Sequence, residues 1–245
     1  MIRHGAFVSF LAFALMAWAG PASAQSPSPP APAPAPPAIT GTAYVVTYIE
    51  VDPAAAGKTG SILRRYTKDT RQAAGNTAFL ALREHERPGR FATVEAWKDK
   101  AALDAHASAS KALVEQLQPY LIAPPDPRLS IELDVAPAPE GAKGKVFVLT
   151  HVDVIPSGKD EAVALVKELA AAARKDDGNF FFNALTQANR ANHMTLFEAW
   201  RDKDARVAYS TADHTKAFRS KLTPNAGALY DERIYEAVGG TKEPK

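Results

Sequence analysis

Apolar residues along this chain come in two kinds of run, and the two kinds alternate in the same order twice. Tyr44-Val45-Val46-Thr47-Tyr48-Ile49 and Val146-Phe147-Val148-Leu149-Thr150-His151-Val152 are short, β-branched and aromatic, which predicts strands. Behind Pro53 and Pro156 the interval lengthens. Val163, Val166, Leu169, Ala170 and Ala173 recur at helical spacing, and Ile62, Leu63, Tyr66 and Thr70 do so less cleanly. Gly75-Asn76 and Gly178-Asn179 should end these helices, with glycine in the left-handed region. Two further strands are expected over 77–83 and 91–97, and again over 180–186 and 194–200. Asp99 and Asp202 are placed to cap a second helix that stops at Pro119 or Pro224. A last strand, 129–135 or 228–237, completes a β-α-β-β-α-β unit of the ferredoxin-like plan.

The repetition extends to identity. Residues 44–106 aligned without gaps on 147–209 share 18 of 63 positions, among them Gly75-Asn76, Phe79, Ala81-Leu82 and Glu95-Ala96-Trp97. A period of 103 residues means two copies of one small domain, not a short-repeat solenoid. Helices of such a unit cover only one sheet face, yet the strands are apolar almost continuously, the mark of burial on both faces. The bare face of each copy should pack on the other. The expected class is α+β: two tandem ferredoxin-like units joined as a pseudo-dimeric α/β barrel, an intramolecular pseudo-dimer.

The boundaries follow from composition. Residues 1–24 have a basic start, an apolar stretch of about 15 residues and Ala22-Ser23-Ala24, the pattern of a cleaved signal peptide. That stretch is shorter than the roughly 20 residues a bilayer span needs, so stable membrane insertion after cleavage is not expected. Residues 25–40 are a Pro/Ala-rich linker that should be an extended tether, and the destination is periplasmic or secreted. The copies occupy 41–136 and 145–238, with a linker at 137–144 and a tail at 239–245. With no cysteine, disulfides are excluded and stability rests on packing. A net charge of +2 without a basic, aromatic-studded patch leaves no footprint for nucleic acid.

Strand–helix–Gly-Asn–strand–strand ending in Glu-x-Trp, then Asp-Lys and a helix with His nine residues after Trp97, resembles the antibiotic biosynthesis monooxygenase family. The resemblance covers Tyr44 to about Val238. It implies a dimeric α/β-barrel fold and cofactor-free oxygenation of electron-rich aromatics, so the partners would be a small aromatic substrate and molecular oxygen, with no cofactor or metal. A deprotonated phenol can itself pass an electron to O₂. The protein then supplies an apolar pocket, a base of near-neutral pKa and donors for the anion. The haem-degrading branch uses an Asn in the first strand, where this chain has Thr47 and Thr150.

On that reading His214 and His106 are the candidate bases, Tyr209 is a donor to a substrate oxygen, and Trp97 and Trp200 are pocket walls. Asn76, Asn179, His151, Glu95 and Glu198 complete the candidate substrate-binding set. Each has a structural alternative. The tryptophans could be plain core, the asparagines helix ends, the histidines surface residues, and the glutamates partners in buried salt bridges. His85 and His193 fall in turns and should face solvent. His151, Glu198 and His214 contain the residue types of a two-His-one-carboxylate iron site, though nothing in their spacing demands one. His106 becomes Tyr209 in the second copy, a divergence that favours a single working site. The rival to an enzyme is a non-catalytic tandem barrel that binds a hydrophobic small molecule or mediates assembly.

Overall fold

The computed structural model describes residues 39–136 and 144–238. The expected leader at 1–24, the tract at 25–38, the joining residues 137–143 and the tail at 239–245 lie outside them. The first copy runs β1 (Ala43–Glu50), α1 (Ala56–Thr70), β2 (Asn76–Glu84), β3 (Arg90–Trp97), α2 (Lys100–Ala105), α3 (Ala107–Leu117) and β4 (Asp126–Asp134). The second runs β5 (Val146–Asp153), α4 (Lys159–Ala173), β6 (Asn179–Gln187), β7 (Arg190–Trp200), α5 (Lys203–Thr211), α6 (Asp213–Leu222) and β8 (Asp231–Ala237). The expected second helix of each copy is two segments, breaking at His106 and at Ala212.

The strands form a closed barrel in the order β1-β3-β2-β8-β5-β7-β6-β4. Every pairing is antiparallel, including β1 with β4, which closes the ring. Each copy contributes a four-stranded sheet, and the copies join edge to edge through β2–β8 and β4–β6. Closure leaves no unpaired edge. The two last strands also reach across: Arg174 bonds the Asp134 carbonyl and carboxylate, and Val238 N–H donates to the Ala81 carbonyl.

Strand alternation divides the core into layers. Val46, Leu82 and Val94 of the first copy meet Phe147, Leu149 and Phe197 of the second inside the barrel. Outside it, Ile62, Leu63 and Tyr66 of α1 and Leu113 and Leu117 of α3 pack on Phe79 and Phe91. The second copy builds the same layer from Val166, Leu169, Phe218 and Leu222 on Phe182 and Met194. Apolarity on both strand faces thus has two causes, the shared interior and the helical cover.

Gly75 and Gly178 both adopt φ +81°, and a Cβ at either would lie 2.6 Å from Ala102 or Ala205. They do not end helices as the sequence suggested. α1 and α4 stop earlier, at Thr70 and Ala173, and each glycine sits in the turn that enters the next strand. Asp99 and Asp202 do cap α2 and α5, accepting from Ala102 N–H and Ala205 N–H.

Candidate functional site

The period-two alternation of β3 decides what the site can contain. Ala92 and Val94 face the barrel interior, so Phe91, Thr93, Glu95 and Trp97 face the helices. Trp97 is fully buried with Ala43 and Ala102, and its indole N–H donates to Glu95 Oε2 at 3.1 Å. Among the described residues Glu95 makes no salt bridge, and Trp97 stands where the sequence suggested an ion-pair partner. Burial pushes its pKa up to about 7, against the opposing hydrogen bond from Trp97.

In front of Glu95 lies a cavity of about 540 Å³ between the sheet and the α2–α3 cover. Val45, Leu103, Val114 and Leu129 give it apolar walls, and Lys100 and Lys111 stand among its lining residues. The other polar residues of the lining are Glu95, Tyr66, Thr47, Thr93, Ser110 and Asp104, the last paired with Lys100. Tyr66 Oη lies 3.0 Å from His106 Nε2 and 3.2 Å from Ser110 Oγ. His106 is one hydrogen bond behind the cavity, and its ring lies tilted against Trp97 with centroids 4.7 Å apart. Burial lowers its pKa.

The second copy keeps the floor of this arrangement and changes the walls. Trp200 N–H donates to Glu198 Oε2 at 2.9 Å, and burial raises the Glu198 pKa to about 7, opposed by that bond and by Arg206 and Arg219. Tyr209 takes the place of His106 and stacks on Trp200 at 4.7 Å. Beyond it the register shifts by two: Leu117 and Pro119 answer to Leu222 and Pro224, 105 residues on. Leu103 corresponds to Arg206, Val114 to Arg219, Pro125 to Tyr230 and Pro127 to Glu232. Glu232 pairs with both Arg206 and Arg219, and Tyr230 packs on Phe218 at 6.3 Å. Side chains thus stand in the second copy where the first has open volume.

The shift also moves His214. Its Nε2 lies 3.0 Å from Asp176 Oδ2, behind the Tyr209 ring and outside the lining of the cavities described. His151 lies inside the barrel end, with Arg128 at 3.1 Å from both ring nitrogens. Asn76 and Asn179 neither end helices nor face the cavity. Each donates across the irregularity that opens its strand, to the Ala78 and Phe181 carbonyls. His193 is in β7, 2.9 Å from Asp153 and part-buried, not in an exposed turn; His85 is exposed. No group of three or more metal-ligating side chains comes together among the described residues.

Sequence reasoning brought Glu95, Trp97 and His106 to one place and missed Tyr66, Thr93 and Ser110. Tyr66 read as an ordinary core position of an amphipathic helix. Its replacement by Leu169 in the other copy was the available signal.

A family model for antibiotic biosynthesis monooxygenase matches residues 42–113 and 145–221, more than half the chain. Among solved structures, a proposed monooxygenase from Fusobacterium nucleatum subsp. nucleatum is 18% identical, with TM-score 0.72 over 81% of this chain and 93% of its own. One from Lactobacillus acidophilus gives 12% identity and TM-score 0.68 over 81% and 95%. An anthrone oxidase-like protein gives 14% and 0.60 over 83% and 96%. At these identities the structures show a common fold spanning both copies. No curated protein sequence matches the chain.

Proposed function

The chain belongs to the antibiotic biosynthesis monooxygenase family, and from that premise we propose that it is an exported, cofactor-independent monooxygenase of a small quinol or phenol, working in the first copy. The observation that carries this reading is Glu95: a carboxyl group of pKa about 7 at the wall of an otherwise largely apolar cavity. A base poised near neutrality suits removal of a phenolic proton. Export rests on the amino-terminal pattern of the sequence alone, and a mature protein beginning at Gln25 would test it.

The steps balance without a further reductant. Glu95 takes the hydroxyl proton of the substrate. The phenolate, with Tyr66, Thr47 and Thr93 available as donors, passes one electron to O₂, and the resulting pair couples at a ring carbon that bears hydrogen. Glu95 returns its proton to the distal oxygen and forms a hydroperoxide. Loss of the C–H proton with cleavage of the O–O bond leaves a carbonyl and releases water. One oxygen atom enters the product; the other leaves as water.

A panel of phenols, naphthols and anthrones should reveal one that drives oxygen uptake, with a single ¹⁸O from ¹⁸O₂ in the product. Glu95→Gln, which keeps the shape and the bond from Trp97, should lower the rate about 10²-fold or more. A second reading is binding without turnover. It is favoured by the second copy, where the same Glu-Trp pair persists behind filled space and so has a purely structural use. Saturable binding of a phenol with no oxygen consumed across the panel would establish that reading instead.

A further inference from the structure

Oxygenation of a phenol to a carbonyl product removes two protons from the substrate, one from oxygen and one from carbon. Glu95 meets the first, and the same cavity holds a second proton acceptor. Tyr66 is part of its lining, with Oη 3.0 Å from His106 Nε2 and 3.2 Å from Ser110 Oγ. Thr70 Oγ1 is a more distant neighbour of that nitrogen, at 3.4 Å, and Ser110 Oγ donates to the His106 carbonyl at 3.4 Å. The break between α2 and α3 falls at His106 and sets its ring between those of Trp97 and Tyr66, with centroids at 4.7 and 5.7 Å. Burial lowers the His106 pKa, which leaves the imidazole a free lone pair at neutral pH.

The second copy shows that the fold does not need this group. Tyr66, Thr70 and His106 answer to Leu169, Ala173 and Tyr209 at the spacing of 103 residues. Leu169 and Ala173 are buried in the core under α4, and Tyr209 lies on Trp200 at the 4.7 Å that separates His106 from Trp97. The Glu-Trp pair, by contrast, is kept in both copies. Three polar groups thus go together where the space is filled and stand together where it is open. Packing explains the pair that persists. It does not explain the three that are lost.

We propose, resting on the monooxygenase reading above, that Tyr66 and His106 remove the second proton as one unit, with His106 a positioning residue that acts through Tyr66. While the phenolate carries charge, the Tyr66 hydroxyl hydrogen faces it. Once the hydroperoxide has formed, that hydrogen turns to His106 Nε2. Tyr66 Oη then takes the C–H proton as its own proton passes to Nε2. The C–H electron pair becomes the second bond of the carbonyl, and the O–O bond breaks. The hydroxide that leaves recovers a proton from His106 through Tyr66 and becomes water, so no co-reactant is needed.

Oxygen uptake is read with the phenol, naphthol or anthrone that turns over, and with the same compound deuterated at the oxidised carbon. His106→Gln offers Tyr66 a hydrogen bond but takes no proton. It should lower kcat about tenfold or more, leave KM within about twofold and enlarge the deuterium isotope effect. In His106→Ala, free imidazole should restore turnover. Pyrrole, with the same shape and no basic nitrogen, should not. Tyr66→Phe should cost as much as His106→Gln, with the double variant no slower than either. It removes one hydroxyl and should enlarge the isotope effect equally, which decides the matter if the His106 variants do not fold. Full turnover in His106→Gln, equal rescue by pyrrole, costs that multiply in the double variant, or an unchanged isotope effect in Tyr66→Phe would overturn the pair and leave the monooxygenase reading standing. No uptake by the wild type with any compound would overturn both.

Discussion

Tyr48 and His151 hold the same position in the two copies, and their rings meet edge-on inside the barrel with centroids 5.0 Å apart. Arg128 and Arg233, also equivalent, lie over the Tyr48 ring at 4.9 and 5.3 Å. Burial and the Arg128 guanidinium lower the His151 pKa to about 4. The imidazole is neutral in the native state because a third cation would have no place there.

That neutrality makes stability depend on pH. In the unfolded chain His151 takes up its proton near pH 6.5, and in the native state only near 4. Between those values the unfolded state binds more protons, so the contribution falls as pH falls, by about 3 kcal/mol in all. Urea unfolding of the wild type and His151→Gln from pH 4 to 8 isolates this slope as their difference. A difference that does not change with pH would refute it.

Glu198 works in the opposite sense. Its native pKa near 7 exceeds the ordinary 4.5, so its contribution is full below pH 4.5 and is lost as pH rises through 7. Glu198→Gln still accepts from Trp200 and carries no charge. It should be more stable than the wild type by about 1–3 kcal/mol at pH 8 and equal to it at pH 4.5, as read by denaturant midpoints.

Tyr66, at the cavity, and His214, outside it, should separate in kinetics. Tyr66→Phe removes a group that touches the cavity and should lower turnover about tenfold or more, given a phenolic substrate. His214→Ala breaks only the pair with Asp176 and should leave turnover within about twofold. A larger effect of His214 than of Tyr66 would move the working site to the second copy.

Gly75→Ala should destabilise by about 2 kcal/mol or more, because the residue needs positive φ and its new methyl would lie 2.6 Å from Ala102 Cβ. Gly178→Ala should match it. A thermal midpoint unchanged in either would mean that the turn relaxes freely.

Cutting the chain between the copies tests closure. Residues 40–137 alone expose the β2 and β4 edges that now pair with β8 and β6. That half, and likewise residues 139–245, should dimerise or aggregate on size-exclusion chromatography. Two stable, soluble monomers would contradict the need for closure.

Much of the architecture was legible because the copies agree where the fold needs them to. Gly75 and Gly178 are dictated by φ, Asp99 and Asp202 by helix capping, and Arg71 and Arg174 by the carbonyls of Phe79 and Phe182 that they bind. Trp97 and Trp200 hold Glu95 and Glu198. Such requirements are local, so they recur at one spacing and a single chain displays them twice. The open cavity has the opposite character. Its walls are Val45, Tyr66, Leu103, Val114 and Leu129, which come from five elements and are brought together only by the closed sheet and its helices. Two of them become Arg206 and Arg219 in the second copy, one of these past a shift in register. The sequence alone determined a duplicated ferredoxin-like fold with a Glu-Trp pair in each half. Which half keeps space in front of that pair was decided by tertiary structure, because volume depends on every wall at once and not on the residues that repeat.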